Sequence, residues 1–429
     1  MSRASHVAAF AAGCAVAATV AAHAAPRSPE ATRYRTLDTF AQALTYVQSQ
    51  YVEPVDERQL LYAAAHGMLE SLDNYSAFFS PADYRRLRED TEGEFPGVGL
   101  VLGPGGPDDA MPDAKPWPIV DEVLPGSPAA AAGLVEDDRL LAVDGAPTVG
   151  PDSAGAGDKD ERYWDLRLRG DAGTTVTVEY LHPGGAPATT TLTRRQVKVP
   201  SVQAEKLDAG IGYLAIRRFQ EATATDVTGA LADLAKQAAD RVIILDLRTD
   251  SGGLVDQAIA VADLFLDEGT IVTIRGRGPE VETHEAHRGG PGTRQRLILL
   301  VNAQTASAAE ILAGALQDHH RATVLGNKTY GKGAIQTYFD LTDGSGLKLT
   351  THHYLTPAGH EVEGRGITPD LDVPEFEPEV IVAGSGSGSE AGGATASPPG
   401  NRDILGARGD DDHQLRVAYQ TAQQWLGSK

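Results

Sequence analysis

Cysteine, aromatic residues and positive charge are all scarce in this chain. Of its 429 residues one is a cysteine and 6% are aromatic, and 37 lysines and arginines stand against 59 aspartates and glutamates, which leaves a formal net charge of −22. A single cysteine excludes an internal disulfide framework. The acidic balance argues against nucleic acid or an anionic membrane as the main partner, because both are negatively charged.

A long apolar run occurs near the amino terminus. Arg3 precedes small apolar residues from Val7 to Ala22, and Ala22-His23-Ala24 has the pattern of a signal-peptide cleavage site. The run is too short and too rich in alanine for a membrane span. We therefore expect a secretory signal peptide, a periplasmic location and no integral membrane span after cleavage. A lipoprotein anchor at Cys14 is disfavoured, because this cysteine lies inside the apolar run.

One serine lies at the junction between a predicted buried strand and a predicted helix. Leu297 to Val301 is continuously apolar, and from Ser307 onward the apolar residues recur with helical spacing. The first amides of a helix have no partner within the helix, so they could stabilise an oxyanion that forms beside the Ser307 hydroxyl. The alternative interpretation is that Ser307 only caps the helix, with Glu310 completing a capping box.

A lysine follows downstream, in the segment YGKGAIQ. Gly331 and Gly333 flank Lys332 and leave room for another segment to approach it closely. Gln336 lies four residues later in a run that is typical of a strand, and this even offset predicts that both side chains share one face. If burial lowers its pKa, Lys332 is a candidate base for the serine.

With these segments the chain resembles the carboxyl-terminal processing proteases, which are tail-specific serine proteases with a Ser-Lys dyad. The resemblance extends from about Tyr51 to Val373. It implies that Ser307 is the nucleophile, that Lys332 is the general base and that Gln336 assists the lysine. It also implies an α/β fold with an inserted domain that binds the substrate.

A second predicted strand ends in a turn with two adjacent glycines, whose amides can face a ligand. In the family such a turn supplies one amide of the oxyanion hole, here that of Gly252 or Gly253, and the sequence does not decide between them. The residue after the nucleophile, here Ala308, supplies the other amide. The chain departs from the family pattern at Thr305, where serine is usual, and at Asp250, which could alter the local electric field.

Two other motifs would indicate different chemistry. Gly326 to Lys332 nearly matches a phosphate-binding loop, but Gly333 replaces the hydroxyl residue that such a loop requires. The histidine pairs that begin at His319 and His352 lack metalloprotease spacing, and no serine lies in a Gly-x-Ser-x-Gly motif. We expect no metal, no nucleotide and no other cofactor.

Upstream, the segment EFPGVGLVL and the strands predicted after it resemble a PDZ domain. In the family this domain binds the C-terminus of the substrate, which assigns a nest of amides for the terminal carboxylate to Gly97, Val98, Gly99 and Leu100. A short helix near Pro128 to Ala132 is expected to border the groove, and Leu166 to Gly170 is expected to form the end and turn of the groove helix. The alternative is an ordinary β-hairpin.

Helical spacing also occurs near both ends of the chain. Apolar residues from Leu37 to Val47 and from Leu60 to Leu72 predict two helices. Their apolar stripes would pack on the protease or on a second subunit, so a homodimer through the terminal helices is an open alternative. Residues 383–401, rich in glycine and serine, predict a flexible linker before a final helix.

The predicted fold is α/β, with a protease core of mixed sheet and helices, an inserted mostly-β PDZ-like domain and helical terminal segments. The expected segments are a signal peptide (1–24), an N-terminal helical region (25–95), the PDZ-like domain (96–196), the protease core (197–374), a flexible linker (375–402) and a C-terminal helical segment (403–429).

The predicted function is that of an exported serine endopeptidase that recognises the C-terminal tail of a protein or peptide substrate. A catalytically silent PDZ-type scaffold would keep the groove but lack a reactive serine. A crotonase-type acyl-binding enzyme would need neither the serine nor the lysine, and a metallohydrolase would lose activity with a chelator.

Overall fold

The computed structural model describes residues 29–106, 115–149, 161–376 and 412–427. The predicted signal peptide, and the predicted linker apart from its first two residues, lie outside these ranges. The chain divides into two compact units, one ending at Asn74 and one beginning at Tyr75.

The first unit contains two helices, α1 (Pro29–Gln50) and α2 (Glu57–Glu70), as the helical spacing predicted. Asp56 caps α2, because its side chain accepts a hydrogen bond from the Gln59 amide at 3.1 Å. None of the helices in the described ranges is long and apolar enough to cross a bilayer.

The second unit contains the other elements that the described residues form. In chain order they are β1 (Ala77–Phe79), α3 (Pro81–Glu92), β2 (Glu94–Gly97), β3 (Leu100–Gly103), β4 (Ile119–Val123), α4 (Pro128–Ala131), β5 (Arg139–Val143), β6 (Ala146–Pro147), α5 (Glu161–Leu168), β7 (Thr175–Leu181), β8 (Pro187–Thr193), β9 (Arg195–Lys198), β10 (Val202–Asp208), β11 (Ile211–Ile216), α6 (Thr223–Lys236), β12 (Val242–Asp246), α7 (Val255–Phe265), β13 (Thr270–Gly276), β14 (Val281–Glu285), β15 (Arg296–Val301), α8 (Ala308–Asp318), β16 (Ala322–Gly326), β17 (Ala334–Asp340), β18 (Gly346–Leu355), β19 (Leu371–Asp372) and α9 (His413–Gly427).

A six-stranded sheet forms the frame of the core, in the order β10-β11-β12-β15-β16-β19. All its pairs are parallel except β10 with β11, so the sheet is mixed, as predicted. Both faces of the sheet are covered, so the central strands β11, β12 and β15 consist mainly of consecutive apolar residues. Alternate residues point to opposite faces: Leu214 and Ile216 join the core built with α6, α7 and α8, whereas Tyr213 and Ala215 join a core on the other side.

The C-terminal helix α9 covers that other side of the sheet. Leu415, Ala418 and Ala422 are fully buried in the core with Ile244 and Ile298. The final helix that the sequence predicted is thus an integral layer of the core.

A five-stranded antiparallel sheet lies beside this frame and is organised by the long strand β18. One edge of β18 pairs with β17, and the other pairs first with β1 and then with β13. β1, Ala77–Phe79, therefore belongs to a sheet of the core, although the sequence placed it inside an N-terminal helical region that reached residue 95. A three-residue strand is too short to leave a periodic signal, and its partner lies more than 250 residues away.

The PDZ-like module is inserted between β2 and β9, which pair with each other at its base. Its sheet has the order β3-β4-β5-β7-β8, with β6 paired to β5. Helix α5 packs against β3 and places Trp164 and Leu168 in the core of the module, with 1% and 2% of their surfaces exposed. β3 is an edge strand, so one of its sides has no strand partner among the described residues.

The burial of α9 predicts the cost of removing one of its core side chains. Leu415→Ala should lower the free energy of unfolding by about 2–5 kcal/mol, because a large aliphatic side chain is lost from a filled core. Denaturant unfolding measures this, with Gln420→Ala, an exposed position of the same helix, as the matched control. Equal effects of the two substitutions would contradict the packing described.

Candidate active site

Ser307 lies in a sharp turn between β15 and α8, with 8% of its surface exposed. Its backbone angles are φ 57° and ψ −116°, a conformation that a residue with a side chain rarely adopts. Such backbone strain costs about 1–3 kcal/mol and persists only where the surrounding structure enforces it. The strand-to-helix junction that the sequence predicted is therefore present, and it is more sharply bent than a simple helix cap.

The carboxylate of Glu310, in the first turn of α8, holds this turn in place. Its Oε2 accepts a hydrogen bond from the amide of Ser307 at 2.8 Å and one from the amide of Lys332 at 2.9 Å. Its Oε1 accepts hydrogen bonds from the amide of Gly331 at 2.7 Å and from the hydroxyl of Thr329 at 2.5 Å. Glu310 is fully buried, and its two oxygens connect the serine turn to the lysine loop.

Glu310 has a structural role that the sequence analysis missed. The spacing of serine and glutamate correctly indicated the half of the capping box in which Glu310 accepts from the Ser307 amide. Nothing in the sequence showed that the same carboxylate also binds a loop about twenty residues downstream. Burial raises the pKa of Glu310. The four hydrogen-bond donors have the opposite effect, because they favour the ionised form, but burial is the larger influence.

Tyr354, on β18, makes a second connection between the serine turn and the lysine loop. Its hydroxyl lies 3.0 Å from the carbonyl oxygen of Ser307 and 3.0 Å from that of Lys332, so its hydrogen is shared between them. Burial raises the pKa of Tyr354 well above that of a free tyrosine, which keeps the hydroxyl a donor. The backbones of Ser307 and Lys332 are thus fixed to each other through two buried side chains.

Lys332 is half-buried in the loop between β16 and β17. Its Nζ lies 5.0 Å from the ring centroid of Tyr75, a cation–π distance. Burial lowers the pKa of Lys332, and the positive charge of Lys348 lowers it further, whereas Glu363 and Glu310 act in the opposite direction. The net shift favours the neutral amine, the form that can accept a proton.

The two glycines beside Lys332 permit a close approach, as the sequence predicted. A Cβ on Gly333 would lie 2.5 Å from the amide nitrogen of Glu363, and one on Gly331, where φ is +90°, would lie 2.9 Å from that of Gly366. The Gly333 amide donates to Glu363 Oε2 at 2.7 Å. The loop that contains Glu363 is therefore packed directly against the lysine segment.

Gln336 follows in β17, but the parity argument that linked it to Lys332 does not apply. The strand begins at Ala334, so Lys332 precedes it, and the pairing with β18 shifts register between Ile335 and Gln336. Such an irregularity breaks the alternation of faces. The Gln336 amide donates to the Ala334 carbonyl at 3.2 Å and to the Thr350 hydroxyl at 3.4 Å.

The Gly-Gly turn after β12 packs against the serine turn. A Cβ on Gly252, where φ is +100°, would lie 2.9 Å from the amide nitrogen of Ala308 and 2.9 Å from Ser307 Cβ. A Cβ on Gly253 would instead lie 2.1 Å from the carbonyl oxygen of Phe219. Only glycine fits at either position, and the two glycines contact different neighbours.

Buried hydroxyl and amide side chains join the same two turns. Thr305 is fully buried, and its hydroxyl donates to the Leu247 carbonyl at 2.8 Å while accepting from the Asn302 amide at 3.0 Å. The Asn302 side chain accepts from the amide of Thr249 at 3.0 Å. Threonine at position 305 therefore keeps the hydroxyl that a serine would supply there.

An ion-pair cluster lies under the Gly-Gly turn. Arg248 donates to Asp246 at 2.8 Å and makes two hydrogen bonds of 2.7 Å to Asp412, just before α9. Tyr213 donates to Asp246 at 2.7 Å. Burial alone would raise the pKa of Asp246, but Arg248 and Tyr213 hold it below the usual value. The C-terminal helix is thus tied to the base of the Gly-Gly turn.

In the PDZ-like module, the four residues of the expected carboxylate nest lie where β2 passes into β3. The carbonyl of Val98 accepts from the Ala129 amide at 3.0 Å, so α4 contacts this turn from behind. A Cβ on Gly99, where φ is +79°, would overlap Ser127, so this position requires glycine. Gly97 ends β2 and Leu100 begins β3.

The helix that borders the groove beside β3 is α5, which ends at Leu168, in agreement with the predicted end of a groove helix at Leu166 to Gly170. The short helix near Pro128, α4, contacts the turn of the expected carboxylate nest instead. A cavity of about 480 Å³ lies between β3 and the segment after β11 and is lined by Leu100, Leu102, Arg169, Arg217, Arg218 and Gln220. It connects the module with the core but does not include Ser307 or Lys332.

Two of the paired histidines, His319 and His352, have structural partners. His319 Nε2 lies 2.7 Å from the carbonyl oxygen of Thr270, and His352 Nδ1 lies 2.8 Å from the hydroxyl of Thr351. Within the described ranges, no group of three or more His, Cys, Asp or Glu side chains is arranged to hold a metal ion.

Three protein-family models match the chain. These are peptidase family S41 over residues 210–373, the PDZ domain over residues 119–156, and the N-terminal domain of the activating protease CtpB over residues 9–81. The first model covers the serine turn, the lysine loop and the Gly-Gly turn.

Curated relatives match most of the chain. A carboxy-terminal-processing protease of Bartonella bacilliformis is 36% identical over 357 residues, which cover 82% of this chain and 78% of that protein. A carboxyl-terminal-processing protease of Picosynechococcus is 37% identical over 363 residues, which cover 79% and 83%. Among solved structures, the photosystem II D1 C-terminal processing protease has 31% identity and a TM-score of 0.45, covering 78% of this chain and 86% of that chain.

The contact between Gly252 and the serine turn predicts a specific defect. Gly252→Ala should lower kcat for an unfolded polypeptide by about 10²–10³, because the new Cβ displaces amides that would stabilise an oxyanion. Gly126→Ala is the matched control: φ is also positive there, but a Cβ would meet nothing within 4 Å. Similar kcat values for the two variants would contradict the prediction.

Proposed function

The chain belongs to the carboxyl-terminal processing proteases of peptidase family S41, and we propose that it cleaves proteins with Ser307 as nucleophile and Lys332 as general base. The observation that carries the proposal is the shared carboxylate of Glu310, which binds the backbone of both residues. A carboxylate placed in this way supports a fixed relation between a hydroxyl and an amine. The strained backbone at Ser307 and the lowered pKa of Lys332 support the same assignment.

For the oxyanion hole we propose the amides of Ala308 and Gly253. The Gly252 amide donates to the side chain of Asp250 at 2.8 Å, so it is already engaged. The Gly252 carbonyl accepts from the Phe219 amide at 3.0 Å. Because the C=O and N–H of a trans peptide point in opposite directions, the Gly253 N–H points away from Phe219, and Gly253 is exposed.

The proposed reaction proceeds through an acyl-enzyme. Ser307 Oγ attacks the scissile carbonyl carbon while its proton passes to the neutral Nζ of Lys332, and the carbonyl oxygen becomes an oxyanion. The ammonium of Lys332 then gives the proton to the leaving amine as the C–N bond breaks. A water molecule, deprotonated by the same amine, releases the acyl group and restores the serine.

The assisting role that the resemblance gives to Gln336 requires its amide to leave Ala334 and Thr350. The two bonds that hold it, at 3.2 and 3.4 Å, are long for hydrogen bonds to oxygen. We therefore place Gln336 as a side chain that turns toward Lys332 when a substrate binds.

The PDZ-like module is proposed to bind the C-terminal tail of the substrate. The unpaired side of the edge strand β3 supports the addition of the tail as a further strand between β3 and α5. The turn from Gly97 to Leu100, which begins that strand, would bind the terminal carboxylate through its amides. The tail would direct an extended segment of the substrate toward Ser307.

We also propose that the protein is exported and that it pairs with a second copy. The small apolar run and cleavage pattern at the amino terminus support secretion to the periplasm. In the first unit, Leu37, Phe40 and Tyr46 expose 63%, 46% and 67% of their surfaces. Exposed apolar side chains along one helix support pairing with a second copy.

The proposed base predicts the pH dependence of cleavage. kcat/KM should rise with pH as Lys332 loses its proton, with a midpoint below the value of about 10.4 for a free lysine. Lys332→Arg should be as inactive as Lys332→Ala, because a guanidinium stays protonated. Steady-state kinetics of the folded variants tests this role of Lys332. Near-normal activity of Lys332→Arg would show that the lysine has only a structural role.

The proposed nucleophile and tail site predict two separable effects on an unfolded polypeptide. Wild-type protein should cleave it, and Ser307→Ala should not, which tests the function itself. Amidation of the C-terminus of the substrate should raise KM or slow processing more than a blocked N-terminus, because only the carboxylate would bind the amides of the turn from Gly97 to Leu100. If Ser307→Ala cleaves as well as the wild type, a PDZ-type scaffold with a contaminating protease becomes the better account.

A further inference from the structure

Asp250 is a buried carboxyl group that the mechanism so far does not use. It lies in the turn between β12 and the two glycines and has none of its surface exposed. Its Oδ1 accepts the hydrogen bond from the Gly252 amide at 2.8 Å, whereas its Oδ2 is buried without a hydrogen-bond partner among the described residues. An ionised carboxylate in this position would leave one charged oxygen without a donor, which is costly.

Asp250 also contacts the serine turn through its backbone. Its carbonyl accepts from the Ala306 amide at 2.9 Å, one residue before the nucleophile. Gly252, which its side chain binds, is the residue whose Cβ would lie 2.9 Å from Ser307 Cβ. The carboxyl group therefore sets the conformation of the turn that supplies an oxyanion-hole amide.

The charged groups around Asp250 do not offset the effect of burial on its pKa. Arg218 and Arg217, which follow β11, favour the ionised form, as does the Gly252 amide. Arg248, two residues earlier, is directed to Asp246 and Asp412. Glu310 is held by its four donors.

Lys332, another charged group of the site, faces Tyr75. Burial is therefore the largest influence on Asp250, and it raises the pKa of Asp250 to about 8.

We propose that Asp250 is a positioning residue that works in its neutral form: it orients the Gly252–Gly253 turn, and its ionisation under alkaline conditions opposes catalysis. This inference rests on the proposed function, since it concerns the oxyanion hole of the same reaction. The neutral carboxyl group supplies an acceptor for Gly252 without placing charge beside the oxyanion. Once ionised, it puts a negative charge next to the place where negative charge develops in the transition state.

The activity test compares wild type and Asp250→Asn from pH 6 to 10. Asparagine keeps the acceptor oxygen and the shape but cannot ionise, so both proteins should show the rising limb of the lysine. Above pH 8 the wild type should lose kcat/KM relative to Asp250→Asn by about tenfold per pH unit, because the neutral fraction of a single acid falls at that rate. Asp256→Asn, which removes an exposed carboxylate from the first turn of α7, should keep the wild-type profile.

A stability test does not depend on catalysis and is made in the Ser307→Ala background. The carboxyl of Asp250 titrates near 8 in the folded protein and near 3.9 in an unfolded chain, so the folded state binds more protons between these values. Stability from this group is therefore fully present below about pH 4 and is lost as pH rises to about 8. The melting temperature of Asp250→Asn minus that of the parent should increase over this window and then level off.

The outcomes separate the two proposals. Loss of cleavage in Ser307→Ala together with identical pH profiles for wild type and Asp250→Asn would overturn the role of Asp250 and leave the protease mechanism intact. An Asp250→Asn protein that folds normally but is inactive at pH 7 would also overturn it, because the neutral form would then not suffice. A melting difference that stays constant with pH would show that Asp250 does not titrate in the window.

Discussion

The proposed active site depends on one buried carboxylate, that of Glu310, with four hydrogen-bond donors. Glu310 binds the backbone of Ser307 on one side and the loop of Lys332 on the other. Along the chain, helix α8 and strand β16 separate these two segments. Burying a charge is unfavourable unless its oxygens are satisfied, and here each oxygen has two donors. The same bonds offset the backbone strain at Ser307, so stability and function rest on one interaction.

A second buried carboxyl group, that of Asp250, has far fewer hydrogen-bond donors than Glu310. It has a single donor and an oxygen without a partner, so its neutral form is the stable one near neutral pH. Glu310 binds the amide of Ser307, the proposed nucleophile, and Asp250 binds the amide of Gly252 in the turn of the proposed oxyanion hole. The sheet under them is covered on both faces, and Asp412, just before α9, binds Arg248 at the base of the glycine turn. The C-terminal helix is therefore part of the framework that fixes the site.

The sequence predicted those parts of this arrangement that depend on residues close together in the chain. The buried strand before Ser307, the helix after it and the glycines around Lys332 each occupy a few consecutive residues. The second role of Glu310, the pairing of Ala77–Phe79 with β18 and the ion pair between Arg248 and Asp412 join segments far apart in the chain. The alternation argument that placed Gln336 and Lys332 on one face does not apply for a local reason, because Lys332 precedes β17 and the register of that strand is irregular.

The central claim is that Ser307 becomes acylated with help from Lys332, and acid-quenched mass spectrometry with an activated ester tests it most directly. The account predicts an added acyl mass on the peptide that contains Ser307, formed quickly in the wild type, slowly in Lys332→Ala and not at all in Ser307→Ala. An acyl group on another residue, or equal labelling of wild type and Ser307→Ala, would contradict the account.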